Sequence, residues 1–198
     1  DEIYEGVIIK LGSNFSNISI LNENMIIAGG ATYQKKLSEV AKDSEIGGLE
    51  FLSCIPGSVG GGIRMNSGCF DQEFKDVLVS IQYVDYKGIV KTISANKVNF
   101  NYRSIDLPQD IIFLSATFKG TNKKKDAIEN CMKDLKTIKE KNQPTRIKTS
   151  GSTFKNPKDQ TNIKVWKLIK DSVPKGINFG DAMISEKHAN FFVNKKNA

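Results

Sequence analysis

Two short segments of the chain carry residue types that could do chemistry together. Residues 151–157 read Gly-Ser-Thr-Phe-Lys-Asn-Pro and place a hydroxyl, a cation and a carboxamide on one stretch that ends at proline. Residues 55–68 read Ile-Pro-Gly-Ser-Val-Gly-Gly-Gly-Ile-Arg-Met-Asn-Ser-Gly and hold a cluster of glycines. The glycine segment could bring bare backbone N–H groups against a phosphate or a flat ring. The other segment could deliver a proton if its serine is well positioned.

Each segment also has an ordinary structural interpretation. The glycine segment does not match the Rossmann pattern, because position 65 is Met, and no Lys follows Gly62 as a Walker loop requires. Composition alone is equally consistent with a glycine-rich turn between a helix and a strand. Ser152, next to glycine and close to proline, could simply cap a helix or a turn.

The order of residues in the glycine segment resembles the UDP-N-acetylenolpyruvoylglucosamine reductase family, flavoenzymes of bacterial cell-wall synthesis. The likeness is carried by Gly-Leu-Glu-Phe-Leu at 48–52, Ile-Pro-Gly-Ser-Val-Gly-Gly at 55–61 and Met-Asn-Ser-Gly at 65–68. In that family this stretch lies against FAD. The resemblance therefore implies cofactor contacts by Gly57, Ser58, Gly60, Gly61, Asn66 and Gly68.

Two further motifs fit the same family. Residues 151–157 are similar to its proton-donor motif, which implies that Ser152 protonates the substrate carbon next to the carboxylate. The resemblance also makes Lys155 and Asn156 substrate-binding candidates. Asn-Tyr-Arg-Ser at 101–104 is similar to the family segment that supplies an enolate-stabilising arginine, so Arg103 takes that role and Tyr102 is a substrate contact. On its own, an arginine after a tyrosine is typical of a surface residue.

The only histidine, His188, lies in residues 185–191, which also resemble the family. We interpret His188 as fixed by hydrogen bonds in a packed strand rather than as a titrating catalyst. Glu186 is not assigned an acid role. The acidic partner of the family's serine lies in a later Glu-Val-Arg segment, which these residues do not contain.

Composition predicts a globular protein, because 39% of the residues are apolar and 26% are charged. No run of apolar residues is long enough to span a membrane, and the N-terminus lacks the features of a signal peptide. Three cysteines, an odd number without metal-type spacing, suggest reduced thiols in a cytoplasmic protein and no metal site.

The net charge of +7 is concentrated in residues 121–170, which hold 14 Lys and Arg against 5 Asp and Glu. Such a stretch could bind nucleic acid, could be a solvated lysine-rich helix face, or could attract a diphosphate substrate. No aromatic residue interleaves the lysines of 123–141, which argues against a platform for stacking single-stranded bases. The diphosphate interpretation fits the motifs better, so we expect no nucleic-acid partner.

Periodicity predicts the elements that position these motifs. Strands are expected at 6–11, 25–30 and 111–119, a hairpin at 77–84 and 88–94, and helices at 33–42, 126–141 and from 165 to 170. The resemblance implies an α+β fold with a two-lobed FAD-binding domain, followed by a partial α/β substrate domain. Residues 1–122 correspond to the second flavin lobe, and residues 123–198 correspond to the substrate domain.

The resemblance also implies that the first flavin lobe and the C-terminal acid are missing, so that these residues alone are inactive. Leu-Gly-Ser-Asn at 11–14 looks like the pyrophosphate loop of that lobe. In the family that loop precedes a strand similar to 6–11, whereas here it follows 6–11, so we interpret it as a decoy.

The implied reaction is reduction of UDP-N-acetylglucosamine enolpyruvate to UDP-N-acetylmuramate by NADPH and FAD. Another FAD oxidoreductase of the same fold and a basic nucleic-acid-binding module remain as alternatives.

Overall fold

The computed structural model describes residues 5–145 and 147–198, which divide into two compact units, Asp1–Leu135 and Lys136–Ala198. The strands of the first unit are β1 (Ile18–Asn22), β2 (Met25–Gly29), β3 (Ile46–Gly47), β4 (Gly68–Cys69), β5 (Gln72–Glu73), β6 (Leu78–Asp85), β7 (Val90–Ser94), β8 (Phe100–Asn101), β9 (Ser104–Ile105), β10 (Ile111–Lys119) and β11 (Thr121–Asn122). Its α-helices are α1 (Gln34–Asp43) and α2 (Val59–Arg64), and α3 (Lys125–Asn142) contains the division between the units.

The first unit is built on a five-stranded antiparallel sheet with the strand order β1-β2-β10-β6-β7. Helix α1 buries Gln34, Leu37, Ser38 and Ala41, which recur at the spacing of one helix face. Four 3-10 helices complete the unit, at Ser13–Ser16, Glu50–Cys54, Phe74–Asp76 and Ala95–Lys97. The core includes an edge-to-face pair of Phe74 and Phe118, whose ring centroids lie 5.8 Å apart.

The described elements of the second unit are β12 (Lys148–Ser152), α4 (Val165–Ser172), β13 (Asn178–Phe179), β14 (Ala182–Ile184) and β15 (Phe191–Asn194), together with the end of α3. The four strands form an antiparallel sheet with the order β12-β15-β14-β13. Few of its side chains are fully buried; Phe191 and Val193 of the central strand are the apolar ones among the described residues.

Most of the predicted elements are confirmed within a residue or two, but the predicted strand at 6–11 is wrong. That segment has no regular structure, and Val7 is 86% exposed. A strand needs a neighbour to accept its backbone hydrogen bonds, and among residues 5–145 and 147–198 none pairs with this segment. The run of apolar residues alone does not determine a strand. The composition-based boundary at 122/123 stays a prediction; the division between the two units falls inside α3.

The glycine segment contains an α-helix, which the sequence did not predict because glycine is a poor helix former. Three consecutive glycines at 60–62 lie inside α2. A Cβ added to Gly62 would lie 2.2 Å from Cζ of the fully buried Phe74 ring. Gly62 is therefore the residue that lets α2 approach Phe74 so closely, and packing outweighs the local cost of glycine in a helix.

Replacing Gly62 by Ala should lower the free energy of unfolding by about 1–3 kcal/mol, because the added methyl overpacks against Phe74. Gly61→Ala is the matched control: its Cβ would meet only Ser58 Oγ, at 3.5 Å, so the helix preference of Ala should stabilise the protein by about 0.5–1 kcal/mol. Urea unfolding followed by far-UV circular dichroism measures both changes. Adding Phe74→Leu should recover part of the Gly62→Ala loss, and equal stabilities of the two alanine variants would contradict this account.

Candidate active site

The glycine segment is fixed by the first turn of α1. The backbone N–H of Gln34 donates to the Gly57 carbonyl at 3.0 Å, and Gln34 Nε2 donates to the Ser58 carbonyl at 3.1 Å. The Ser58 hydroxyl accepts from the Gly61 backbone N–H at 3.3 Å and so caps α2. The backbone from Gly57 to Gly61 is therefore held in place by the protein's own hydrogen bonds.

Three of the four glycines predicted to contact a cofactor are required by the fold itself. Gly57 has a φ of +109°, a conformation that side chains rarely adopt. A Cβ on Gly60 would lie 3.2 Å from a backbone carbonyl oxygen, and a Cβ on Gly68 would lie 2.2 Å from another. These three glycines are therefore explained without any ligand.

Gly61 has no such explanation. It is exposed, its φ is not positive, and an added Cβ would touch only the Ser58 hydroxyl, at ordinary van der Waals distance. A glycine that the fold does not require, on an exposed helix turn, is consistent with close approach of a group from outside the protein. Gly61 is the residue of the segment that best fits a cofactor-contact role.

Arg103 lies in the turn between β8 and β9 and reaches the end of the glycine segment. Its Nη2 donates to the Gly68 carbonyl at 2.7 Å, and its Nη1 donates to the Asn66 carbonyl at 3.4 Å. The guanidinium carbon also lies 4.9 Å from the centroid of the Tyr102 ring, within the range of a cation–π contact. The structure thus brings Asn66, Gly68, Tyr102 and Arg103 into one cluster.

Asn66 joins three separate loops of this cluster. Its side chain is fully buried, and its Nδ2 donates to Glu73 Oε2 at 3.0 Å and to the Asn101 carbonyl at 3.1 Å. Its Oδ1 accepts from the Lys75 backbone N–H at 3.1 Å. These contacts give the Asn66 side chain a role in positioning the Arg103 turn, and the cofactor contact that the resemblance implies for it stays a prediction.

Sequence reasoning missed Glu73. Its Oε1 lies 3.6 Å from Arg103 Nη1, and its other carboxylate oxygen accepts from Asn66. Glu73 and Arg103 are far apart in the sequence and lie on different hairpins, so no spacing rule connects them. Its position a few residues after Gly68 was the only available signal, and it is a weak one.

Ser152 lies at the exposed end of β12, after an irregularity in the pairing with β15. Gly151 has a φ of +88°, and its N–H donates to Thr149 Oγ1 at 3.2 Å, so the strand bends where the serine begins. The Ser152 hydroxyl has no hydrogen-bond partner among the residues that the structure describes. An exposed serine on a bent strand end could meet a substrate, whereas the alternative of a helix cap is not supported.

Asn190 fixes the loop that follows Ser152. Its Nδ2 donates to the Phe154 carbonyl at 2.9 Å, and its Oδ1 accepts from the Phe154 N–H at 3.0 Å. Its backbone carbonyl accepts from the Thr153 N–H at 2.9 Å. The buried Asn190 side chain therefore holds the two residues after the predicted proton donor, and sequence reasoning did not assign it this role.

The two predicted substrate-binding residues that follow lie in the same loop. Asn156 is half-buried, and its Oδ1 accepts from the Val165 N–H at 3.0 Å, so it fixes the start of α4. Lys155 is exposed. The second unit thus carries Ser152, Lys155 and Asn156 on one loop, while the first unit carries the Arg103 cluster and the glycine segment.

His188 lies in the turn between β14 and β15, so the predicted strand position is wrong. The predicted hydrogen bond is confirmed: its Nδ1 accepts from the Asn190 backbone N–H at 3.3 Å. The ring packs edge to face on Phe191, with centroids 4.8 Å apart, and faces Trp166 at 6.4 Å. Burial lowers the pKa of the His188 imidazole below its ordinary value, which favours a neutral side chain.

Two other kinds of site are not found in the described part of the chain. No group of three or more His, Cys, Asp or Glu side chains there could hold a metal ion. None of the described helices is both long enough and apolar enough to cross a membrane.

Two protein-family patterns match the chain. Residues 1–94 match the family described as FAD binding domain, and residues 143–198 match the C-terminal domain of UDP-N-acetylenolpyruvoylglucosamine reductase. The first match contains the glycine segment, and the second contains Ser152, Lys155 and Asn156.

Individual relatives agree with these matches. The UDP-N-acetylenolpyruvoylglucosamine reductase of Pelagibacter ubique is 66% identical over all 198 residues, which cover 66% of that protein. The reductase of Rickettsia bellii is 40% identical over 98% of the chain and 63% of its own length. The crystal structure of the Thermus caldophilus UDP-N-acetylenolpyruvylglucosamine reductase has a TM-score of 0.77 and 32% identity, over 87% of this chain and 62% of that one. The chain therefore spans about two thirds of the length of these relatives.

Protonation of His188 should destabilise the second unit. An unfolded histidine has a pKa of about 6.5, and the folded pKa is lower, so the unfolded chain binds the proton first as the pH falls. The free energy of unfolding should therefore decrease as the pH is lowered through about 6.5, as measured by urea unfolding with the fluorescence of the single tryptophan, Trp166. His188→Asn keeps an acceptor for the Asn190 N–H but does not titrate, so its stability should be flat between about pH 5.5 and 7. The same slope in both proteins would contradict the assignment.

Proposed function

The chain belongs to the UDP-N-acetylenolpyruvoylglucosamine reductase family, and from this premise we propose that it reduces UDP-N-acetylglucosamine enolpyruvate to UDP-N-acetylmuramate in peptidoglycan precursor synthesis. The observation that carries the proposal is the 2.7 Å hydrogen bond from Arg103 Nη2 to the Gly68 carbonyl. It places a guanidinium at the end of the glycine segment, which lies within the residues 1–94 that match an FAD-binding domain. An anion-stabilising group beside a flavin segment is what reduction of an enolpyruvyl ether requires.

The residues of the glycine segment fit an FAD cofactor. Gly61 leaves a surface that no side chain fills, and Gly57 and Ser58 present backbone that Gln34 already fixes. We assign contacts with the cofactor to these three residues and to Gly60, Asn66 and Gly68. FAD, when bound and reduced by NADPH, supplies the hydride that adds to the enolpyruvyl methylene carbon.

Arg103 has the electrostatic role in this mechanism. Addition of hydride to the methylene carbon moves negative charge onto the carboxylate side of the substrate. A planar guanidinium presents paired donors that match the two oxygens of that enolate. Because the Gly68 and Asn66 carbonyls already orient it, Arg103 needs little reorganisation as the charge develops. Tyr102, stacked on the guanidinium, is the adjoining substrate contact in the proposal.

Ser152 has the proton-transfer role. The carbon next to the carboxylate must gain one proton after the hydride has added, which converts the enolpyruvyl group into a lactyl group. The exposed Ser152 hydroxyl has no protein partner among the described residues and can donate to that carbon. Lys155 and Asn156 follow on the loop that Asn190 fixes, and we assign them to substrate binding.

A UDP-sugar substrate fits the positive charge of residues 121–170 better than nucleic acid does. The positive charge of α3 is partly neutralised by ion pairs along the helix, Lys133 with Glu129 at 2.9 Å and Lys136 with Glu140 at 4.0 Å. The proposal therefore includes a UDP-sugar as partner and no nucleic acid. It also places the reaction in the cytoplasm, where NADPH and charged nucleotide sugars are kept. A protein without flavin absorbance that is retained on DNA at physiological salt would favour the nucleic-acid alternative.

The activity test uses the complete product of the reading frame that contains the chain. Bound FAD should be reduced by NADPH under anaerobic conditions, and it should be reoxidised when the enolpyruvyl UDP-sugar is added. A flavoprotein that NADPH reduces but this substrate does not reoxidise would indicate another FAD oxidoreductase of the same fold.

Replacing Ser152 by Ala should slow substrate reduction by roughly 10²–10⁴-fold, the usual effect of losing one proton-transfer group. Reduction of FAD by NADPH should hardly change, because Ser152 lies outside the glycine segment. Stopped-flow absorbance of the flavin measures the two half-reactions separately. Ser150→Ala, two residues earlier on β12, is the control and should leave both rates intact. Equal slowing of the two half-reactions by Ser152→Ala would remove Ser152 from the proton-donor role.

Replacing Arg103 by Lys should not be conservative, because Lys lacks the planar fork and cannot keep the contacts to the Asn66 and Gly68 carbonyls. We expect kcat to fall strongly and KM for the UDP-sugar to change less, since the charge develops in the transition state. Steady-state kinetics with varied substrate separates the two constants. An unaltered kcat with a raised KM would move Arg103 to simple substrate binding.

A further inference from the structure

We propose that Glu73 is a positioning residue that sets the orientation of the Arg103 guanidinium. The geometry behind this inference is a chain of contacts from β5 to the turn between β8 and β9. Glu73 Oε1 lies 3.6 Å from Arg103 Nη1, and the guanidinium donates on its other side to the Gly68 carbonyl at 2.7 Å. The guanidinium is therefore held between a carboxylate and a backbone carbonyl. The expected effect on kcat rests on the proposed function, whereas the orientation of Arg103 by Glu73 does not.

A positioning group must itself be held by something other than the residue that it positions. Glu73 meets this requirement. Its carboxylate accepts from Asn66 Nδ2 at 3.0 Å and from the backbone N–H of Asp76 in a capping box, and Lys75 Nζ lies 3.3 Å from Oε2. In the same box the Glu73 N–H donates to Asp76 Oδ2 at 2.8 Å. The orientation of the carboxylate is thus fixed by several donors before Arg103 is considered.

Arg103 needs such support, because its own backbone is unfavourable. Its φ is +56°, in the left-handed region that favours glycine, whereas Tyr102 before it has no positive φ. A two-residue turn in which φ is negative at the first residue and positive at the second prefers Gly or Asn at the second position, which Arg103 occupies. A non-glycine residue persists in this region when its surroundings determine its conformation, and such residues are concentrated at functional sites. The contacts to Glu73 and to the two carbonyls are what retains the arginine here.

The charge of Glu73 matters as much as its hydrogen bonds. In Glu73→Gln the side chain keeps its shape but presents an NH₂ group in place of one carboxylate oxygen. The surrounding groups at Asn66, Asp76, Lys75 and Arg103 are all donors, so that NH₂ faces a donor whichever way it points. The guanidinium then loses the carboxylate beside Nη1, while its contacts with the Gly68 and Asn66 carbonyls and with the Tyr102 ring remain.

The test compares Glu73→Gln with Asp76→Ala in the complete product of the reading frame. Asp76→Ala removes the capping-box acceptor for the Glu73 N–H but leaves the carboxylate beside Arg103. We expect Glu73→Gln to lower kcat roughly 10- to 100-fold with KM within about twofold, because a small misplacement of a catalytic group costs rate rather than binding. Asp76→Ala should keep kcat within about threefold, and FAD reduction by NADPH should be unchanged in both. Glu39→Gln, which removes an exposed ion pair with Lys35, is the general control.

A second readout does not depend on activity. The side-chain Nε–Hε resonance of Arg103, assigned by comparison with Arg103→Lys, should be narrow and dispersed in the parent protein. In Glu73→Gln it should move toward the position of a solvent-averaged arginine, and in Asp76→Ala it should stay in place. An unmoved resonance in Glu73→Gln, or an equal loss of kcat in both variants, would overturn the positioning role. If the parent protein reduces no enolpyruvyl UDP-sugar, the proposed function fails, while the resonance still decides whether Glu73 positions Arg103.

Discussion

The buried carboxamide of Asn66 is the point on which the first unit's candidate site depends. One side chain donates to Glu73 and to the Asn101 carbonyl and accepts from the Lys75 N–H, so the turn of Asn66 itself, the segment 73–75 and the β8–β9 hairpin meet at one residue. A buried amide left unsatisfied is costly, and each loop must therefore keep its place for the others to do so. The Arg103 turn is one of these loops, which is why a residue in the left-handed conformation can be maintained there.

In the second unit, too, a buried asparagine side chain holds a loop of the candidate site, and fewer apolar side chains are buried there than in the first unit. Asn190 contributes both a donor and an acceptor to the Phe154 backbone, as a carboxamide can and a carboxylate or a hydroxyl cannot in the same geometry. Helix α4 has no buried residue, and Ser152 itself is exposed. The loop that follows Ser152 is held by the Asn190 hydrogen bonds and by an edge-to-face contact between Phe154 and Phe192, whose ring centroids lie 5.9 Å apart. Regions of this kind open more readily than densely packed ones, which suits a segment that must receive a substrate.

The elements of the fold could be predicted where the sequence pattern is local. Strand β10 and helix α3 were predicted within a residue because their apolar spacing is long and regular. Strand β1 and helix α2 were missed, and the strand expected at 6–11 does not form. For α2 and for 6–11 a distant partner decides the outcome: the close approach of Phe74 for α2, and the lack of a pairing strand among the described residues for 6–11. Strand β1 instead pairs with β2, its neighbour in sequence.

The residues of the candidate site also differ in whether local sequence could predict them. Short motifs predict the residues that would touch cofactor or substrate, because the residues of each motif are close together in sequence. The residues that hold them, Glu73 for Arg103 and Asn190 for Phe154, lie on other hairpins, and no spacing rule in the sequence links them to the residues that they hold. Asn66 has features of both kinds of residue. Its motif predicts a cofactor contact, but its side chain is bonded to Glu73 and to the Lys75 N–H within the protein. A motif therefore marks where chemistry could occur, and only the fold distinguishes the residues that make contact from those that position them.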